Sequence, residues 1–97
     1  MTGTAEGMAT ESGLMRLKVV TPEAVVFDGT AKSIVAPAWD GWVGILPGHA
    51  PLLTLIGEGP LTAESESGDR SRHHIAGGVV KVESNEVTVL ADRVEGG

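Results

Sequence analysis

The chain has 97 residues, a formal charge of −6, no cysteine and three aromatic residues, two Trp and one Phe. That length makes a single domain, able to bury roughly 60–70% of its unfolded surface and to hold a core without metal or disulfide staples. The missing thiols exclude a disulfide scaffold, thiolate zinc and cysteine nucleophiles, and an acidic chain with so few aromatics lacks what non-specific nucleic-acid binding needs.

Residues 1–13 are rich in Thr, Gly and Ser and precede any apolar pattern. They have no apolar core of a secretory signal and, with Glu6 and Glu11 but no Arg, do not resemble a transit peptide. A disordered leader is expected here. No apolar run in the chain approaches the roughly 18 residues of a membrane-spanning helix.

From Leu14 the pattern turns to period two, with Met15, Leu17 and Val19 on one face and Arg16 and Lys18 on the other, which predicts a half-buried strand. Thr21-Pro22-Glu23 predicts a turn, and Val25-Val26-Phe27 a second strand interrupted at Asp28-Gly29, where the glycine suggests a bulge. Extended structure resumes over Ile34-Val35-Ala36 and runs up to Pro37. Trp42 to Leu46 and Leu52 to Ile56 are short apolar runs between breakers, followed by an expected turn at Gly57-Glu58-Gly59-Pro60. Leu61 and Ala63 alternate with Thr62 and Glu64, and Ser67-Gly68-Asp69-Arg70 closes a hairpin into Arg72 to Ala76. Val80 and Val82 then lead through Ser84-Asn85, where Asn tolerates left-handed backbone, into Val87, Val89 and Ala91. No stretch sustains a helical period, and many short strands with glycine-rich turns predict an all-β sandwich or barrel.

The sharpest local signal is Gly44-Ile45-Leu46-Pro47-Gly48-His49-Ala50-Pro51-Leu52-Leu53. Pro47 locks φ, Gly48 is free to take positive φ, and Pro51 biases Ala50 to extended geometry, so the backbone turns rigidly between two apolar runs. This stretch resembles the signature of the epsilon subunit family of F-type ATP synthases, called delta in mitochondria. A second block is similar to the last strands of that family's sandwich domain: Gly77-Gly78, Val80, Val82, Asn85 and Val87-Thr88-Val89-Leu90-Ala91-Asp92. The resemblance covers Leu14 to Asp92 and implies a β-sandwich of about eight to ten short strands over 14–92. Residues 93–97 are then a short tail where the family commonly has a helical hairpin, so inhibition by such a hairpin is not carried over.

His49 is the obvious candidate for catalysis or metal binding, since a Pro-Gly-His-Ala-Pro corner presents it rigidly. A catalytic His also needs a nucleophile and an orienting acid, and no such set is visible, so a structural or interface role is the better expectation. His73 and His74 are adjacent and on a strand point to opposite faces, so they cannot chelate one ion together. The acids Asp40, Glu58, Glu64, Glu66 and Asp69 fall in expected turns and on wet faces, and no glycine pattern forms a phosphate loop. No catalytic residue, cofactor, metal or small-molecule substrate is therefore expected. The competing reading is a small β-sandwich ligand- or metal-binding domain using His49, with His73, His74 and Asp40.

The resemblance implies a central-stalk subunit that links the gamma subunit to the membrane c-ring, couples proton-driven rotation to ATP synthesis and performs no chemistry itself. It places Asp40, Gly41, Trp42 and Val43, in an expected tight turn, against the c-ring. Thr21, Gly48, His49, Ala50 and Thr54 fall against gamma. In bacteria it implies a peripheral position on the cytoplasmic side of the inner membrane. Trp42 itself reads two ways, as an exposed interface aromatic or as a lid on the core.

Overall fold

A computed structural model describes residues 13–95; the expected leader, apart from Gly13, and Gly96-Gly97 lie outside the described residues. Its eight strands are β1 (Met15–Val20), β2 (Val25–Ala31), β3 (Ser33–Ala38), β4 (Gly41–Ile45), β5 (Leu52–Leu55), β6 (Glu58–Glu64), β7 (Arg70–Glu83) and β8 (Glu86–Glu95). They follow one hydrogen-bonded path, β2-β1-β8-β7-β6-β3-β4, with β5 beside β7. Only β1 and β8 pair in parallel.

The path folds over on itself because β7 and β8 belong to two layers. The first half of β7 pairs with β6 and the second half with β5. In all three neighbours the inward-facing positions change parity at one row: Ile56 gives way to Leu61 and Ala63, Ile75 to Val80 and Val82, and Ala91 to Val94. Gly77 (φ 73°) and Gly78 (φ 113°) make that crank possible. A Cβ on Gly78 would run into the Leu90 carbonyl oxygen, so the strands approach there as only glycine allows, whereas at Gly77 it would meet only the movable Asp92 carboxylate.

The two layers close on one core. Leu17 and Val19 from β1, Val87 and Val89 from β8 and Val80 and Val82 from β7 meet Ile34 and Ala36 from β3, Ile45 from β4 and Leu61 from β6. Alternation in the sequence marked Leu17, Val19 and Leu61 as one-face residues, whereas Ile34, Ala36 and Ile45 come from runs for which no inward side was expected. Each such side chain, fully buried, contributes roughly 1.5–3 kcal/mol. The result is an all-β sandwich.

Local departures from the sequence expectations have local causes. The bulge lies at Val26 and not at Gly29: Val19 pairs with Phe27 and Val20 with Val25, so Val26 is skipped. Gly29 stays in register opposite Leu17, and the space of its missing Cβ is taken by the Phe27 ring, whose Cζ is 3.1 Å from where a Cβ would sit. The expected turn at Gly57 to Pro60 is no reversal, because β5 and β6 continue along β7, joined by Ile56 N–H donating to Gly78 O (2.9 Å) and Gly77 N–H to Gly57 O (3.3 Å). β8 carries on through Arg93, Val94 and Glu95, which pair with Ala76, Ile75 and His74. Ser84 and Asn85 (φ 52° and 62°) form the left-handed two-residue hairpin their sequence suggested.

Candidate functional site

Two surfaces gather most of the residues singled out in the sequence, and a third lies beside them. The first is the tip of the β3–β4 hairpin. Ala38 pairs with Gly41 and Pro37 with Trp42, so the chain reverses over Trp39 and Asp40 alone. Gly41, Trp42 and Val43 are therefore strand residues of β4 and not the turn that was expected. The reversal sits where it does because this register sets Ile34 against Ile45, both fully buried. Trp39 N–H donates to Leu55 O (3.0 Å), which pins the turn to β5.

Trp42 is 61% exposed and Trp39 68%. Trp42 does not cap the core: the edge of its ring lies over Gly59 and beside the Pro37 side chain, and the rest faces solvent. Trp39 was not singled out in the sequence reading. The Asp-Gly pair after it drew the expected turn two residues too far along, and the signal that would have found it is a second large aromatic beside that pair in a chain with only three.

The second surface is the Pro47-to-Ala50 corner. His49 N–H donates to Leu46 O (3.0 Å), and His49 Nδ1 lies 2.7 Å from Ala50 O, to which it donates. Gly48 N–H donates to Asn85 Oδ1 (2.7 Å), which anchors the corner to the β7–β8 hairpin. Gly48, His49 and Ala50 are thus together at one end of the layer. Thr21 is at the other end, in a turn closed by reciprocal hydrogen bonds with Ala24 (2.9 and 3.3 Å), just past Val20, which stands beside Leu90. Asn85 and Leu90 are separated by five residues of β8, roughly 17 Å. Thr54 lies on β5 opposite Val80, half-buried on the inward side.

The third surface was not visible in the sequence. On the outer face, Leu55 pairs with Val79, Val79 with Leu90, Leu90 with Val20 and Val20 with Val25, an unbroken apolar row across five strands. Leu55 is 58% exposed, Leu90 47% and Val25 56%. The next row along the strands carries the exposed Leu53 and then Lys81, Thr88 and Lys18 in register, so the rim is apolar at β5 and polar from β7 to β1. Beyond it Arg16 bonds Asp28 (3.0 Å), a hydrogen bond that raises the guanidinium pKa and, as the main cause, holds the exposed Asp28 carboxyl below its ordinary value.

The residues of the metal-binding alternative are not brought together. His49 sits against the β7–β8 hairpin, and Asp40 is at the far end of β4 from it. His74 faces out to Glu58 (3.4 Å), and His73 packs on the Phe27 ring with centroids 5.6 Å apart. Among the described residues no three His, Asp or Glu side chains converge in a way that would hold an ion. Nor is any helix among them long and apolar enough to cross a membrane.

The family described as "ATP synthase, Delta/Epsilon chain, beta-sandwich domain" matches residues 14–97. The ATP synthase epsilon chain of a Synechococcus strain is 42% identical over 83 residues, covering 86% of this chain and 60% of that protein. The epsilon chain of Alkalilimnicola ehrlichii is 40% identical over 78 residues, covering 80% of this chain and 56% of that one. The chain thus spans a little over half the length of these curated relatives. Among solved structures, a chain of the Euglena gracilis mitochondrial ATP synthase, determined as OSCP/F1/c-ring, superposes with a TM-score of 0.80 at 20% identity, covering 86% of this chain and 53% of that chain. One from the Tetrahymena thermophila mitochondrial ATP synthase central stalk and c-ring gives 0.65 at 21%, covering 84% and 65%. At such identities the likeness is one of fold.

Proposed function

The chain belongs to the delta/epsilon chain family of ATP synthases as its β-sandwich domain, and from that premise we propose that it is a rotor subunit that joins gamma to the c-ring and performs no catalysis itself. In this reading it couples proton-driven rotation of the ring to ATP synthesis, and in a bacterium it lies peripherally on the cytoplasmic side of the inner membrane. The observation that carries the reading is the row Leu55, Val79, Leu90, Val20 and Val25. A line of exposed and half-buried apolar side chains, bordered by Lys81 and Lys18, has the anatomy of a protein interface. We assign this face to gamma. A partner footprint of about 800 Å² is nearly 30 Å across, enough to reach from Thr21 to the Gly48-His49-Ala50 corner, with Thr54 beneath this face on the inward side of β5. The hairpin tip with Asp40, Gly41, Trp42 and Val43 is assigned to the c-ring. Torque transfer asks for stiffness, and two packed sheets about 10 Å apart with a dense core deform little.

The test is binding of gamma to Leu90→Asp. Leu90 is outside the core, so the variant keeps the fold and a near-wild-type melting temperature, while a charge set into a desolvated row weakens gamma binding at least tenfold. Unchanged gamma affinity in both Leu90→Asp and Val25→Asp would remove gamma from this face.

A further inference from the structure

We infer that the outer face of β3, β6 and β7 binds an acidic segment of a partner protein, with Arg70 and Arg72 taking two carboxylates set at alternate positions of an extended chain. This goes beyond the gamma and ring assignments and uses none of their residues.

Three observations converge on this face. Two rows run across it in register, Ser33 with Glu64 and Arg70, and Val35 with Thr62 and Arg72. The two arginines therefore leave alternate positions of β7, roughly 7 Å apart. Both are exposed, while Ser71 and His73 between and after them are half-buried. Among the described residues neither arginine has an ion pair, although the chain has 7 Lys and Arg against 13 Asp and Glu. Arg16, Lys32, Lys81 and Arg93 each hold a carboxylate. The acids nearest Arg70 are engaged elsewhere, Glu64 with Lys32 (3.7 Å) and Asp69 with the Ser67 hydroxyl (3.2 Å). Arg70 also stands on the wall of a hollow of about 200 Å³, whose lining includes Ser33, Val35, Thr62 and the Lys32-bound Glu64. Val35 is 41% exposed there, and Gly44 beside it on β4 leaves the space open, since a Cβ on it would meet nothing within 4 Å.

A guanidinium takes a carboxylate through two parallel hydrogen bonds, and the hollow gives a carboxylate on Arg70 room to seat beside the Ser33 and Thr62 hydroxyls. An extended chain spaces its alternate side chains by the same roughly 7 Å that separates the two arginines, so one segment can satisfy both. Nucleic acid or an anionic membrane is a worse match. Either would bring many further charges against Glu58, Glu64, Glu66 and Asp69 on a chain that carries −6. The chain's own Glu6 and Glu11 are five positions apart, roughly 17 Å in an extended segment, and would not meet the pair together.

The experiment titrates the full chain, isotope-labelled for amide NMR, with a peptide carrying Glu-Ser-Glu in a neutral frame of Gly and Ser. A Gln-Ser-Gln peptide, a peptide with its two Glu adjacent, and inorganic phosphate are separate arms. The amides of Val35, Thr62, Arg70 and Arg72 are expected to shift and saturate with Glu-Ser-Glu, less tightly with adjacent acids and not with Gln-Ser-Gln. Affinity should fall with rising salt and about fivefold in each of Arg70→Gln and Arg72→Gln, with Arg→Lys at either position keeping part of it. Melting temperatures should not change, because both side chains are exposed. If the Gln peptide binds equally, or the Gln variants bind like wild type, the arginines do not read charge and the inference fails. If adjacent acids bind as well as alternate ones, or phosphate alone reproduces the shifts, the face is a general anion site and the inference fails. No shift at these amides with millimolar peptide overturns it outright. The gamma and ring assignments stand or fall independently of every one of these outcomes.

Discussion

His73 carries the one unresolved polar conflict of the described core: both its ring nitrogens are buried without a hydrogen-bond partner. It faces the Phe27 ring from the inward side of β7, directly opposite the fully buried Leu61. Burying an unpaired polar group costs roughly 1–3 kcal/mol, and replacing it with an apolar group of similar shape recovers much of that. His73→Phe is therefore expected to raise stability by about 1 kcal/mol, read as a higher denaturant midpoint with an unchanged slope. A lower midpoint would mean that the imidazole is satisfied in solution. The exposed His74–Glu58 and Arg16–Asp28 pairs are a contrast, since surface ion pairs of this kind contribute little.

At the scale of the elements, the fold turns on the row where β5–β6, β7 and β8 cross between layers. Gly78 has φ 113°, and a side chain there meets the backbone of Leu90 and Ala91, so neither torsion nor space tolerates a Cβ. Gly78→Ala is expected to cost about 3 kcal/mol or more, read as a large fall in the denaturant midpoint. Gly68 in the β6–β7 loop also has positive φ (97°), but its nearest neighbour, a Glu64 carboxylate oxygen, is 4.0 Å away. Gly68→Ala should then show the torsional cost alone, about 1 kcal/mol. Equal effects of the two substitutions would mean that the close approach at Gly78 relaxes and that the crank is not a fixed pivot.

For the whole molecule, the outer apolar row and the hairpin tip adjoin through the Trp39–Leu55 hydrogen bond yet draw on different strands. Two partners can therefore be held by one rigid body without sharing side chains. Leu90→Asp should release gamma and keep the ring, Trp39→Leu should do the reverse, and the double variant should show the sum of the two losses, within about 0.5 kcal/mol. Marked non-additivity would mean that the two surfaces form one continuous interface.

Much of this architecture is legible along the chain because it is local. Alternation over Met15 to Val19 and Val87 to Ala91 identifies inward faces, Ser84-Asn85 specifies its own hairpin, and the Pro47-to-Pro51 corner turns where its prolines and glycine require. The family resemblance rests on these same stretches. The site is another matter. The Asp40-Gly41 pair invites a reversal centred on itself, but pairing of Ile34 with Ile45 in the core moved the tip back onto Trp39. Gly57 to Pro60 reads as a turn, yet β7 holds both sides of it in one register. The apolar row joins Val20, Val25, Leu55, Val79 and Leu90, which periodicity can place on a face of their own strands but never beside one another. Register between strands is set by hydrogen-bonded ladders and by the fit of two sheets over a common core. Both are contacts between distant parts of the chain, so that part of the protein was decided only by the tertiary structure.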